Sequence, residues 1–353
     1  MCKTVSLDIK ARRPSQSAMN EAMGRWNLIM KPLGSLGEFE KMIVKLAGIY
    51  GTADFDIKHR CVLVACSDNG VVSERVTQSE SAVTAIIAKE MALAKSNINV
   101  MARAVDADTF VIDMGMVEEV KDYAIIDMHV RRGTDNIAKG PAMSIEEAAE
   151  AVKRGIALVE RMTSVGYQVV VTGECGIGNT TTASALAAVI LDMDPAAVTG
   201  RGAGLTSEML RHKIEVVRQA IEVNQATRED PLLLLSKLGG FDIAAMVGMF
   251  LGGAIYGVPV IIDGFISSVA ANLAWRIEPL AKEYMLASHM SEEKGAAFLQ
   301  NQMGLKSVLH AGMRLGEGTG GVCLLPLLDI AMAEFTKAHR FSETDLKAYV
   351  ELI

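Results

Sequence analysis

The chain has 353 residues, half of them apolar, and carries a formal net charge of -7 with a pI near 5.5. An acidic surface repels nucleic acid and anionic membrane alike, so neither is expected as a partner, while the apolar share can fill one large core or two of ordinary size. Cys2, Cys61, Cys66, Cys175 and Cys323 form no C-x-x-C pair and stand at no zinc-like spacing to histidine, which speaks against a patterned metal site and fits a reducing cytoplasm.

In chain order, the first stretch, "MCKTVSLDIKARRPSQ", lacks an apolar segment of signal-peptide length, so a cytoplasmic protein is expected. Residues 1–57 read as helix without a buried strand. Apolar runs rich in Val and Ile then recur between helical patterns: "CVLVACSD" from Cys61, "TFVIDMG" from Thr109, "YAIIDMHV" from Tyr123, "YQVVVTG" from Tyr167 and "VPVIIDG" from Val258. Strands apolar on both faces, separated by helices, are what a mostly parallel sheet covered on both sides requires. Helix starts stand between them, with Ser144 and Glu147 spaced as a capping box and Thr206 opening "TSEMLRHKIEVVRQAIEVNQA". Residues 243–262 carry no charge and are long enough to span a bilayer. Gly252, Gly253, Gly257 and Pro259 interrupt them and Asp242 and Asp263 flank them, so a buried helix, a turn at "YGVP" and a buried strand are expected.

The fold class that follows is α/β: a mostly parallel, Rossmann-like sheet with helices on both faces over residues 58–324. Residues 1–57 and 325–353, from the two chain ends, would make a small helical domain.

In such sheets ligands bind beyond the carboxyl ends of the strands. Those places hold "SDNGV" at 67–71, "GECGIGNTTT" at 173–182 and "DGFISS" at 263–268, with further loops "TGRGAG" at 199–204, "SHMSEEKG" at 288–295 and "LGEGTGG" at 315–321. The 173–182 loop has the glycine spacing of a triphosphate loop, but Asn179 stands where that loop has its lysine. Amides of Gly176, Ile177, Gly178 and Asn179 ahead of a helix could cradle one phosphate, with Gly202 and Lys213 completing the cradle. Equally, these glycines could only make tight turns. Glu317 either caps the following helix or faces a cleft as a general base, and Glu174 has the same two readings, the second as a partner for a sugar hydroxyl. His289 and His310 have no second histidine at helix spacing and read as structural. Neither a G-x-S-x-G elbow nor a dinucleotide fingerprint is present.

Seven stretches in order, "KPLGSLGEFE" at 31–40, "SDNGVVSE" at 67–74, "GECGIGNTTTASAL" at 173–186, "GGFDIAAMVG" at 239–248, "DGFISSVAA" at 263–271, "SHMSEEKG" and "MRLGEGTGG", resemble those of nicotinate-nucleotide:dimethylbenzimidazole phosphoribosyltransferases. The resemblance implies transfer of ribose 5-phosphate from nicotinate mononucleotide to an aromatic base, giving the α-linked nucleotide of a cobamide (vitamin B12-type) lower ligand, without metal or cofactor. By that match Glu317 is the base, and Glu174, Gly176, Gly178, Asn179, Thr180, Gly202 and Lys213 hold the ribose phosphate. Asp242, Asp263, Gly264, Phe265, Ser291 and Leu315 fall nearby, and Ser81 falls on the acceptor side. The family is dimeric, and some relatives that accept phenol or p-cresol pair two paralogous chains. Here Ser79, Glu80 and Ser81 replace the usual Tyr-Pro-Gln, and Asn69 replaces the histidine of Asp-His-Gly, so a phenolic acceptor and a paralogous partner are both open. A non-catalytic paralogous subunit or a nucleotide-binding regulator of the same fold is the alternative reading.

Overall fold

A computed structural model of the protein describes residues 7–121 and 124–350. Six parallel strands form one sheet: β1 (Arg60–Ser67), β2 (Ala107–Gly115), β3 (Ile125–Asp127), β4 (Val169–Cys175), β5 (Val260–Ile262) and β6 (Met285–Ala287). Their spatial order is β3-β2-β1-β4-β5-β6, so the chain winds outward from β1 in one direction, then returns and winds outward from β4 in the other. The α/β expectation is met. The strand expected from Tyr123 begins outside the described residues, and β6, three residues long, has no counterpart among the expected strands.

Every residue of β1, β4, β5 and β6 is buried, which is why these segments read as continuous apolar runs rather than alternating ones. The period-two pleat distributes the side chains between two helical layers. Thr172 on β4 hydrogen-bonds Ser267 at 2.7 Å, and Val260 on β5 meets Gly253, which ties one face to helices Phe265–Ile277 and Phe241–Tyr256. Val62, Val171 and Ile261 face the start of helix Thr319–Lys337 on the other side.

Helices Ile145–Ser164 and Phe241–Tyr256 cross on the first face so closely that neither crossing residue can carry a side chain. A Cβ on Gly155 would lie 2.1 Å from the Ala245 carbonyl, and one on Gly248 would lie 2.0 Å from that of Val152. The charge-free stretch 243–262 resolves into this buried helix, the Gly257 cap and β5. Ser144 and Glu147 form the expected capping box, with reciprocal bonds of 3.1 and 2.8 Å, and Thr206 caps Ser207–Val223.

Helices Gln16–Leu28 and Glu38–Tyr50 pack with the far end of Thr319–Lys337. Fully buried Trp26 meets Phe335 at 5.1 Å between ring centres, and Arg60 reaches Asp329 at 2.9 Å. The stretch 31–40 belongs here: Lys31 and Glu40 make a buried ion pair of 2.6 Å, and Glu40 also accepts the Leu36 amide. The 319–337 helix runs unbroken through the boundary expected at 324/325, its first half against the sheet and its second half against the chain's first helices. Thr319–Lys337 is the one described helix long and apolar enough to cross a membrane, and more than half of it is buried in the protein.

Candidate active site

Strand order reverses between β1 and β4, and a cleft of about 310 Å³ opens beyond their carboxyl ends. Its floor is the turn after β4. Gly178, in a left-handed conformation at φ 93°, caps helix Asn179–Leu191. Gly176 lies against the Ser67 carbonyl and the Asp242 carboxylate, where a Cβ would come within 2.6 and 2.7 Å. The amide nest is narrower than the sequence suggests, because Ile177 N–H already donates to Thr84 Oγ1 at 3.1 Å and Asn179 N–H to the Gly176 carbonyl at 3.0 Å. The Thr180 amide makes no such bond among the described residues, as first-turn amides lack helical partners.

Lys213, 1% exposed, crosses from helix Ser207–Val223 and donates to Thr180 Oγ1 at 2.8 Å, with Gly202 beside both. Burial pulls its ammonium down to about 8, opposed by the charge of Glu293. A cation kept in so dry a place calls for an anion.

Carboxyl groups crowd the other side of the floor. Asn179 Nδ2 donates to Glu174 Oε2 and, at 3.0 Å, to Asp242 Oδ2. Asp242 in turn accepts from Ser67 Oγ at 3.1 Å and returns its own amide to that oxygen at 3.0 Å. Burial first, then the charges of Asp242 and Asp263, push Glu174 well above the usual carboxylate range. Asp242 is raised to about 6 by burial, held back by its bonds to Asn179 and Ser67. Asp242 thus braces Asn179 from beneath the cleft and does not line it.

Glu317 enters from the turn ahead of helix Thr319–Lys337. Its backbone is left-handed at φ 62°, unusual for a residue with a Cβ, and its Oε2 is buried without a partner. Burial and then the Asp263 charge raise its pKa. Of the two sequence readings, capping is done by another residue: Asp263 accepts from the amides of Gly318, Gly320 and Gly321 at 3.2, 2.7 and 3.1 Å. Glu317 lines the cleft.

The remaining wall comes from Gly264, Phe265 and Ile266 after β5, His289 and Ser291 after β6, Leu315, and the face of helix Ala82–Ala92 that carries Val83 and Ile87. Of the sequence-derived set, Glu174, Gly176, Asn179, Thr180, Gly202, Asp263, Gly264, Phe265, Ser291, Leu315 and Glu317 converge on this cleft. Gly178, Lys213 and Asp242 stand one layer behind it. Ser81 does not line it; Ser79 does, because Ser81 is already at the start of the helix. His289, Arg314 and Glu293 also line the cleft. His289 has no partner at helix spacing to give it away in the sequence, because the group it faces, Asp263, comes from the end of a different strand.

A doubly wound sheet with a partly polar cleft at its switch point is the architecture of α/β enzymes that bind ligands beyond their strands' carboxyl ends. The sequence model of a phosphoribosyltransferase family matches residues 11–346. The chain is 40% identical over 334 residues, 95% of each chain, to the nicotinate-nucleotide–dimethylbenzimidazole phosphoribosyltransferase of Clostridium acetobutylicum, and 39% identical over 334 residues, again 95% of each, to that of Ruminiclostridium cellulolyticum. The crystal structure of CobT from Thermus thermophilus superposes with a TM-score of 0.87 at 34% identity, covering 93% of this chain and 98% of that one. The chain belongs to the nicotinate-nucleotide–dimethylbenzimidazole phosphoribosyltransferase family and is a phosphoribosyltransferase.

Proposed function

We propose that this enzyme transfers ribose 5-phosphate from nicotinate mononucleotide to an aromatic lower-ligand base, benzimidazole or phenolic, releasing nicotinate and giving the α-linked nucleotide of a cobamide. The observation that carries the reading is one cleft lined by Thr180 and Gly202, with the Lys213 ammonium directly behind Thr180, and also by a half-buried carboxylate with an unpartnered oxygen, Glu317. The activity for which the relatives are named agrees with it.

The donor's single phosphate sits on the first turn of helix Asn179–Leu191, with the Lys213 charge behind Thr180 favouring an anion there. Glu174 lines the cleft beside Asn179, where its carboxyl group can bond a ribose hydroxyl. The acceptor nitrogen or oxygen attacks the anomeric carbon from the face opposite nicotinate, and the bond to the pyridinium nitrogen breaks. Its electron pair returns to the ring, which leaves neutral without a general acid. The acceptor's proton passes to Glu317, whose raised pKa makes it a stronger base than an exposed carboxylate. Alignment of the two reactants supplies much of the rate.

The acceptor would lie against Val83, Ile87 and Ile266, where Ser79 offers one hydroxyl. That hydroxyl can bond a benzimidazole nitrogen or a phenol oxygen, so the wall admits either class. A dimer, of identical chains or with a paralogue, would close the open side, and a cytoplasmic setting matches the substrates. The test is nicotinate release by the purified chain with 5,6-dimethylbenzimidazole and phenol in separate reactions, products resolved by mass. Release with the benzimidazole assigns the ordinary acceptor, and release with phenol the other. No release with either, alone or with a paralogous chain, rejects the reading.

A further inference from the structure

We infer that Asp263 is a positioning residue for Glu317, holding the turn 316–321 by its backbone amides so that the Glu317 carboxylate is presented to the acceptor; this rests on the transfer reading above. Asp263 is the first residue after β5 and is 2% exposed. Its two oxygens take three amides of one turn, Gly318 on Oδ2 and Gly320 and Gly321 on Oδ1. The sheet presses on the turn from the opposite side: a Cβ on Gly173 would lie 2.6 Å from the Glu317 carbonyl, and one on Gly318 would lie 2.7 Å from Val62.

Glu317 sits at φ 62° immediately before the first clamped amide. A side-chain-bearing residue keeps such a backbone only where its surroundings over-determine it. Here sheet and carboxylate do so together. Released from Asp263, the turn would relax toward an ordinary conformation and swing the carboxylate away from the cleft. The Thr319–Lys337 helix gains as well, since its first amides and positive dipole end meet a carboxylate. One side chain therefore caps a helix and aims the base.

The clamp also acts on the base through charge. Asp263, Glu174 and Cys175 interact with Glu317 through charge, Arg314, Glu293 and His289 share its cleft, and His289 and Cys323 face Asp263 in turn. Removing the Asp263 charge makes Glu317 easier to ionise.

Asp263→Asn keeps the shape, replaces one acceptor oxygen by a donor and removes the charge. Measured on the full chain with nicotinate mononucleotide and 5,6-dimethylbenzimidazole, kcat should fall about 100-fold, the cost of a misplaced catalytic group. The acid limb of the kcat–pH profile should move toward acid, and amide exchange should quicken roughly tenfold over 316–321 and not elsewhere. Asp263→Glu keeps the charge but displaces the oxygens, so kcat should fall with the limb unmoved. A limb that stays in place in Asp263→Asn, or exchange at 316–321 equal to wild type, overturns the inference. Wild-type protein that transfers nothing overturns the functional reading instead, and exchange alone then decides whether Asp263 clamps the turn.

Discussion

On one side of the cleft Lys213 donates to Thr180 at 2.8 Å and Asn179 is gripped by two carboxyl groups. On the other, Val83, Ile87 and Ile266 present aliphatic side chains and Ser79 a single hydroxyl. The polar side is directional and dry, so each group depends on its neighbours and a lost partner leaves a buried charge or dipole unpaired. The apolar side works by area, which is non-directional and forgiving of shape. On the proposed transfer reading, the donor is specified tightly and the acceptor loosely, with Glu317 on the seam between them.

The most severe way to break that arrangement is at the seam. Glu317→Gln should lower kcat by about 10²–10⁴-fold, the worth of a positioned general base, with donor KM little changed in initial-rate assays. Next comes the donor side: Lys213→Met removes a charged hydrogen-bond donor worth about 1.5–3 kcal/mol, so donor KM should rise about 10- to 150-fold while acceptor KM stays within about twofold.

Proton uptake sharpens the same contrast. The Lys213 ammonium is drawn down to about 8, so kcat/KM for the donor should fall as pH rises through that value, and Lys213→Arg should abolish this alkaline limb. The stability term has the opposite sign. A lysine lowered in the folded state disfavours folding below about 8, and this penalty is relieved as pH climbs from about 8 toward the ordinary lysine value of 10.5, measurable as a rising urea midpoint that Lys213→Met lacks. The smallest effects belong to the apolar side. Ile87→Ala should raise acceptor KM only about 3- to 10-fold, and Ser79→Ala less, each leaving donor KM alone in the same assay.

The polar floor was legible in the sequence because the parts of it that lie close together, Glu174 to Thr180, sit on one strand-turn-helix whose glycine spacing is itself a signal. What failed were relations across the fold. β6 is three residues long, too short for any periodicity, and with it went the reason to expect His289 at a strand's carboxyl end. The capping of helix Thr319–Lys337 by Asp263 joins residues 55 to 58 apart, which no local pattern shows, and so Glu317 stayed poised between cap and base. The choice of Ser79 over Ser81 turns on where a helix begins, a boundary that sequence resolves only to within a few residues.

Helix Thr319–Lys337 starts at the turn that bears Glu317 and ends against Trp26 in the chain's first helix. During synthesis, then, the polar floor of the cleft emerges from the ribosome more than a hundred residues ahead of Glu317, and Phe335, which packs on Trp26, comes later still. A nascent chain that pauses between these events has the floor of the cleft without Glu317, and one helix then brings Glu317 to the cleft at its start and Phe335 to Trp26 near its end.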